Sequence, residues 1–317
     1  MKQQKKETVV VTGATGFIGS HLLRTLLDLD YNVVAIVREN SKSCYRLPKN
    51  VNNLEIIFGD LANIDDLIYK FQHIKADVFY HLAWSGVGNA VRNDTGQLRD
   101  IDITVNMMNL AKAIDCVRWI GTGSQAEYGV LNRPIREEDI YFPTTLYGTT
   151  KLSACMLSQL LGKQLGMSPI WARIFSIYGP SDNRGWMLTE LICSLLQGKV
   201  PKLTEGDQLW DYLYVDDAVD ALIALASNTV PQGIYNIGSG KSQPIRSIVE
   251  LVRDKIDTSL KLTFGDVPYR NDQIMHLEAD ISKIMQYTGW SPKVSMQEGI
   301  DSTISYIKNN MEEYKLR

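Results

Sequence analysis

Apolar residues in the first half of the chain follow two alternating patterns. Short runs read as strands: Thr8–Thr12, Asn32–Val37, Leu54–Phe58, 77–82, 117–121 and 169–174. Between them lie stretches with apolar residues at helical spacing: 17–29, 64–71, 96–114 and 145–165. Strand–helix alternation of this length predicts an α/β fold with a doubly wound parallel sheet covered on both faces. The rhythm loosens past Phe175, where Tyr178-Gly179-Pro180 breaks it. Helices are expected at 187–196, 216–227, 245–256, 280–287 and 295–308, with strands at 211–215, 233–237 and 261–264. Residues 179–317 are expected to form mainly a smaller C-terminal lobe over the sheet's C-terminal edge, while 211–240 return to the large domain of residues 1–178.

The first strand runs directly into Gly13-x-x-Gly16-x-x-Gly19, followed by the helical pattern of Phe17, Ile18, Leu22, Leu23, Leu26 and Leu27. A strand, a glycine turn and a helix N-terminus in that order suit a dinucleotide pyrophosphate. The turn needs positive φ, the phosphates need backbone without Cβ, and the helix start supplies unpaired N–H groups. The large domain is therefore expected to be Rossmann-type and to bind a nicotinamide dinucleotide. The second strand ends Val37-Arg38-Glu39. Arg38 suits the 2′-phosphate of NADP(H), which is favoured; Glu39 suits the acidic ribose contact of NAD(H), the alternative. Asp60, closing the third strand, is placed either to accept from the adenine amino group or to cap the next helix.

Tyr147 and Lys151 lie one turn apart on one helix face. A phenol is a poor proton carrier near neutrality, and a neighbouring ammonium lowers its pKa. The pair is thus a proton-transfer device for a hydride-transfer cofactor. Ser124, in the loop after the fifth strand, is placed to hydrogen-bond a substrate oxygen that passes between alcohol and ketone.

Bulk properties remove other classes. A net charge of −3 argues against a nucleic-acid binder. The four histidines lack metal-ligand spacing, so no metal is expected. Cys116, Cys155 and Cys193 sit in apolar patterns and read as reduced core residues. The polar start leads straight into the first strand, and no apolar run is long enough to span a bilayer; a cytoplasmic location and no membrane partner are expected.

The chain resembles the extended short-chain dehydrogenases/reductases that modify nucleotide-linked sugars: epimerases, dehydratases and ketoreductases. The resemblance rests on Gly13-Ala-Thr-Gly-Phe-Ile-Gly19, Gly59-Asp60-Leu61, His81-Leu82-Ala83, Ser124 to Gly129, Tyr147 to Lys151, Arg173 to Pro180, Asp211 to Asp217, Tyr235-Asn-Ile-Gly238 and Gly289-Trp-Ser-Pro292. It implies Tyr147 as acid/base, Lys151 as its partner, Ser124 as a donor to substrate, adenine contacts from Asp60 and Leu61, and a substrate nucleotide held by the C-terminal lobe. Leu82 and Ala83 fall at the cofactor, and Ser85, Ser176, Trp186 and Arg270 at the substrate. The family's 4,6-dehydratases follow the Ser/Thr with Asp-Glu; Gln125-Ala126 stand here, which argues against water elimination of that type. Ser176 and Trp210 replace the Asn and Arg that usually help hold the diphosphate, Arg270 matches a second phosphate-binding Arg, and Asp100 replaces an Asn.

The expected activity is NADPH-dependent reduction of a 4-keto, 6-deoxy sugar nucleotide with Tyr147 as proton donor. A nucleotide-sugar 4-epimerase using NAD is the alternative, and a non-catalytic NAD(P)-sensing binding protein a third. The resemblance suggests a homodimer through the helices near 96–114 and 145–165.

Overall fold

Val9 and Val11 of the first strand enter one apolar cluster and Val10 another, because successive side chains of a strand face opposite ways. The computed structural model describes residues 6–270 and 273–315. Its strands are β1 (Thr8–Thr12), β2 (Asn32–Val37), β3 (Leu54–Phe58), β4 (Val78–His81), β5 (Arg118–Ser124), β6 (Arg133–Ile135), β7 (Ser168–Ile174), β8 (Ser176–Tyr178), β9 (Leu209–Tyr214), β10 (Gly233–Ile237), β11 (Ser242–Pro244) and β12 (His276–Ala279). The helices are α1 (Phe17–Asp28), α2 (Ile64–Phe71), α3 (Arg99–Ala113), α4 (Leu146–Leu165), α5 (Met187–Leu196), α6 (Val215–Leu225), α7 (Ile245–Ile256), α8 (Ser282–Thr288), α9 (Met296–Asn309) and α10 (Met311–Lys315).

Seven strands form one sheet in the order β10-β7-β5-β4-β1-β2-β3, every pairing parallel. One face packs on α1 and α6 through Leu22, Leu26, Val219 and Leu222; the other packs on α2, α3 and α4 through Leu67, Met107 and Ala154. The strand order reverses between β1 and β4, which opens a crevice at their C-terminal ends. This is the Rossmann-like doubly wound fold expected from the alternation.

The C-terminal part is less segregated than its sequence rhythm suggests. β10 joins the large sheet beside β7, and Ile284 of α8 and Trp290 enter the core under it. A smaller sheet in the order β11-β9-β12-β6 takes β6 from the first half of the chain, and β8 pairs with β9. The strand expected at 261–264 is absent. Leu260, Leu262 and Phe264 pack as an irregular segment against the lobe's core. The regular element is β12 instead, which pairs with β6 and β9. β5 runs to Ser124, three residues past its expected end, and α3 starts at Arg99 after a turn of 3₁₀ helix over Thr95–Leu98.

Two carboxylates fasten the connections. Asp211, fully buried, accepts from the backbone N–H groups of Ser239 (2.7 Å), Ala279 (3.0 Å) and Gly240 (3.1 Å). Asp217 accepts from those of Lys293 and Val294. An amide at 211 has one acceptor oxygen and turns a donor towards donors. Asp211→Asn is expected to destabilise by about 2–3 kcal/mol. A thermal melt reads this, and an unchanged midpoint would contradict it.

Candidate active site

Gly13 lies at φ +73°, and a Cβ there would come within 2.7 Å of the Ala83 nitrogen. A Cβ on Gly19 would meet the Gly13 carbonyl oxygen at 2.1 Å. The glycines therefore let the turn close against the ends of β1 and β4 and against α1. α1 begins behind Gly16 with no side-chain cap and no acidic residue in its first turn. Its free N–H groups and partial positive charge are left for an anion, so the residues present fit a dinucleotide pyrophosphate. Leu82 and Ala83 are held by N–H bonds to Thr12, at 3.2 and 3.3 Å. The Phe17 ring packs on the lobe's core and Ile18 on the large domain's.

The other predicted cofactor residues reach the same edge. Arg38 and Glu39 are both exposed just past β2. Asp60 is exposed after β3 and accepts from the Ala62 N–H at 3.0 Å, a local turn contact. Leu61 packs on the second core cluster, and its carbonyl accepts from Asn106.

Tyr147 and Lys151 stand on the first turn and a half of α4, whose N-cap Thr145 accepts from Gly148 N–H. The Ser124 hydroxyl faces the Tyr147 phenol. Burial raises the Tyr147 pKa above its ordinary value, opposed by the Ser124 hydroxyl and by the Arg92 guanidinium, whose Cζ lies 5.2 Å from the ring centroid. Lys151 is 3% exposed. Its Nζ donates to the Thr122 carbonyl at 2.7 Å and sits 3.6 Å from the centre of the Trp84 ring, a cation–π contact. Burial pushes it down to about 7, against the pull of the Glu127 and Asp100 carboxylates. His81 behind it is driven down to about 3 by burial and by the Lys151 charge, so it stays neutral. The arrangement joins a protonated phenol, a hydroxyl partner and an ammonium near its titration point, beside the glycine turn.

The departures from the family pattern have structural partners. Asp100 accepts from the N–H and hydroxyl of Ser85, fixing the loop after β4. Trp210 donates its indole N–H to the Ser176 hydroxyl at 2.7 Å, so these two replacements are coupled to each other. Trp210 also lines a cavity of about 290 Å³ in the lobe, with Met187, Leu203, Gln208, Tyr212 and Phe264. Trp186, ahead of α5, lies 6.0 Å from the Arg92 guanidinium. Arg270 is exposed on the loop before β12.

Three features were not expected from the sequence: Arg92 over the phenol, Trp84 under the ammonium, and Glu127 buried beside Ser124. Glu127 had a legible signal, because Ser124-Gln-Ala-Glu127 is a capping-box spacing. Arg92 lies in an irregular loop, where spacing says nothing about direction.

Among the described residues, no group of side chains is suited to a metal ion, and no helix is long and apolar enough to cross a membrane. The fold is similar to a UDP-N-acetylglucosamine 4-epimerase from Methanobrevibacter ruminantium M1, solved with UDP-N-acetylmuramic acid: 26% identity, 97% of this chain and 100% of that one, TM-score 0.87. It is also similar to a UDP-glucuronic acid 4-epimerase from Bacillus cereus, solved with UDP-glucuronic acid and NAD: 27% identity, 96% and 99% coverage, TM-score 0.84. UDP-glucuronic acid decarboxylase 1 of Xenopus tropicalis is 27% identical over 98% of this chain and 75% of its own length. The family model described as the NAD dependent epimerase/dehydratase family matches residues 9–238. The chain belongs to that family, and with it to the extended short-chain dehydrogenases/reductases, as an enzyme of the nucleotide-sugar epimerase/dehydratase type.

Proposed function

We propose that this enzyme interconverts C4 epimers of a nucleoside-diphosphate sugar, with NAD retained in the site. The observation that carries the reading is Tyr147 one helical turn from a buried Lys151 whose Nζ is held by the Thr122 carbonyl, beside Ser124 at the edge where the glycine turn opens. The neighbours solved with UDP-sugars and NAD support the substrate class and the cofactor. Gly13, Gly16, Gly19 and the N-terminus of α1 would hold the pyrophosphate. The bound nicotinamide supplies hydride exchange at the sugar carbon. Tyr147 takes the proton of the C4 hydroxyl as the C–H bond is broken and the carbonyl forms, and returns it when the opposite face is reduced. The Ser124 hydroxyl holds the sugar oxygen through both directions. Lys151, facing its carbonyl and its two carboxylates, supports the phenolate and is placed for the cofactor ribose hydroxyls. Gln125 and Ala126 offer neither acid nor base for water elimination.

A second reading, reduction of a 4-keto sugar by NADPH, is favoured by one observation: Arg38 is exposed at the end of β2, where a 2′-phosphate would lie. The nucleotide base is assigned to the lobe cavity beside Trp210. The substrate lobe is assigned mainly to residues 179–317, with 211–240 shared with the large domain. We further propose a homodimer through α3 and α4, since Met156, Leu157 and Leu160 of α4 are exposed apolar residues. The unpaired thiols fit a reducing cytoplasm.

Denatured protein analysed by mass spectrometry should release NAD(H) under the first reading; an empty site that titrates with NADPH would support the second. Tyr147→Phe should cut kcat by about 10²–10⁴-fold while leaving sugar-nucleotide affinity in place; unimpaired turnover would remove the acid/base role.

The Lys151 ammonium is disfavoured by burial, with its folded pKa of about 7 below the ordinary 10.5. That cost is full below pH 7 and fades as pH rises towards 10.5. Cofactor-free Lys151→Met should therefore melt above wild type at pH 6.5, by a margin that narrows at pH 9.5, and lack activity. A lower melting point at both values would contradict the cost.

Light scattering should return a dimer, and Leu160→Glu should convert it to a monomer. A monomeric wild type would end that assignment.

A further inference from the structure

Glu127 has a fully buried side chain with three donors around it. It accepts from the Ser124 N–H at 2.8 Å, from the Trp171 indole at 3.0 Å, and from the Arg173 Nε at 2.7 Å in a buried ion pair. Its other indole contact is 3.2 Å. Gly123 is shaped by this group: a Cβ there would meet Glu127 Oε1 at 2.4 Å and Trp171 Nε1 at 2.2 Å. The segment 122–124 is therefore clamped from beneath by one carboxylate. That segment carries the Thr122 carbonyl, which binds Lys151, and the Ser124 hydroxyl, which faces Tyr147.

Building on the epimerase reading, we propose that Glu127 is a positioning residue for the reaction. Its carboxylate fixes the strand end that presents Ser124 and Thr122, and it places a negative charge beside Tyr147 and Lys151. The other groups facing this pair are Arg92 from the loop after β4, Asp100 from α3, the neutral His81 of β4, and the rings of Trp84 and Trp171. Arg173, clamped between the Tyr128 and Tyr141 rings, holds the carboxylate through its Nε. A nearby negative charge raises the pKa of both a phenol and an ammonium, so its removal lowers both.

Two variants test this. Glu127→Gln keeps the shape and deletes the charge. Glu127→Gln with Arg173→Gln exchanges the whole ion pair for amides, which a core tolerates better than a broken pair and which serves if the single variant does not fold. The readout is the ultraviolet phenolate titration of Tyr147, isolated by subtracting the same protein carrying Tyr147→Phe. It needs no substrate. Failure to turn over any nucleotide sugar would count against the proposed reaction and leave this comparison intact. The folded variant should show a phenolate midpoint about 0.5–1 pH unit below wild type, and, with a substrate, a kcat–pH profile displaced the same way with KM nearly unchanged. A midpoint that coincides with wild type in a folded variant would overturn the proposal, as would lower activity with no displacement, which a merely structural role would give.

Discussion

The site depends on keeping one ammonium charge inside the protein. Lys151 lies between the Trp84 face, the Thr122 carbonyl and two carboxylates it does not touch directly, and each offsets part of the solvation it has lost. The sheet sets this geometry. β5 delivers Thr122 and Ser124, β4 delivers the loop with Trp84, and α4, packed on β5 and β7, delivers Tyr147 and Lys151. Because α4 packs on the same core cluster as Trp119 and Trp171, the phenol and ammonium have little freedom relative to the strand ends. A lysine set in this way changes charge state for a small change in its surroundings, which is what a proton-transfer site near neutrality requires.

The large domain was legible because its strands are buried on both faces and its helices carry long apolar periods; these patterns survive in one sequence. The glycine turn was legible because steric need at Gly13 and Gly19 leaves no other residue type. The short strands β6, β8 and β11 have three residues each, too few for any period, and β12 was passed over for a more strand-like run at 261–264 whose apolar residues serve the lobe's core. The Tyr147–Lys151 spacing identified a shared helix face, and Ser124 was placed by its strand. Arg92 and Trp84 were invisible in their roles, since contacts made by irregular loops depend on tertiary direction.

The departures are informative because they come in matched sets. Trp210 and Ser176 bond to each other, so the charge lost at 210 is replaced by an aromatic wall in the lobe cavity. Asp100 adds a carboxylate beside the one lysine that Glu127 also faces. Similar chains are epimerases and a decarboxylase acting on UDP-linked sugars. One fold thus hosts several reactions on nucleotide sugars.

The central claim, that hydride leaves and returns to the same sugar carbon within one binding event, is tested most directly with UDP-sugars deuterated at C4. The enzyme is incubated with each, and the products are read by proton NMR. The account predicts a C4-epimeric product that keeps deuterium at C4, with no net change in free nicotinamide. Loss of the label from C4, or consumption of added NADPH with no epimer formed, would contradict it.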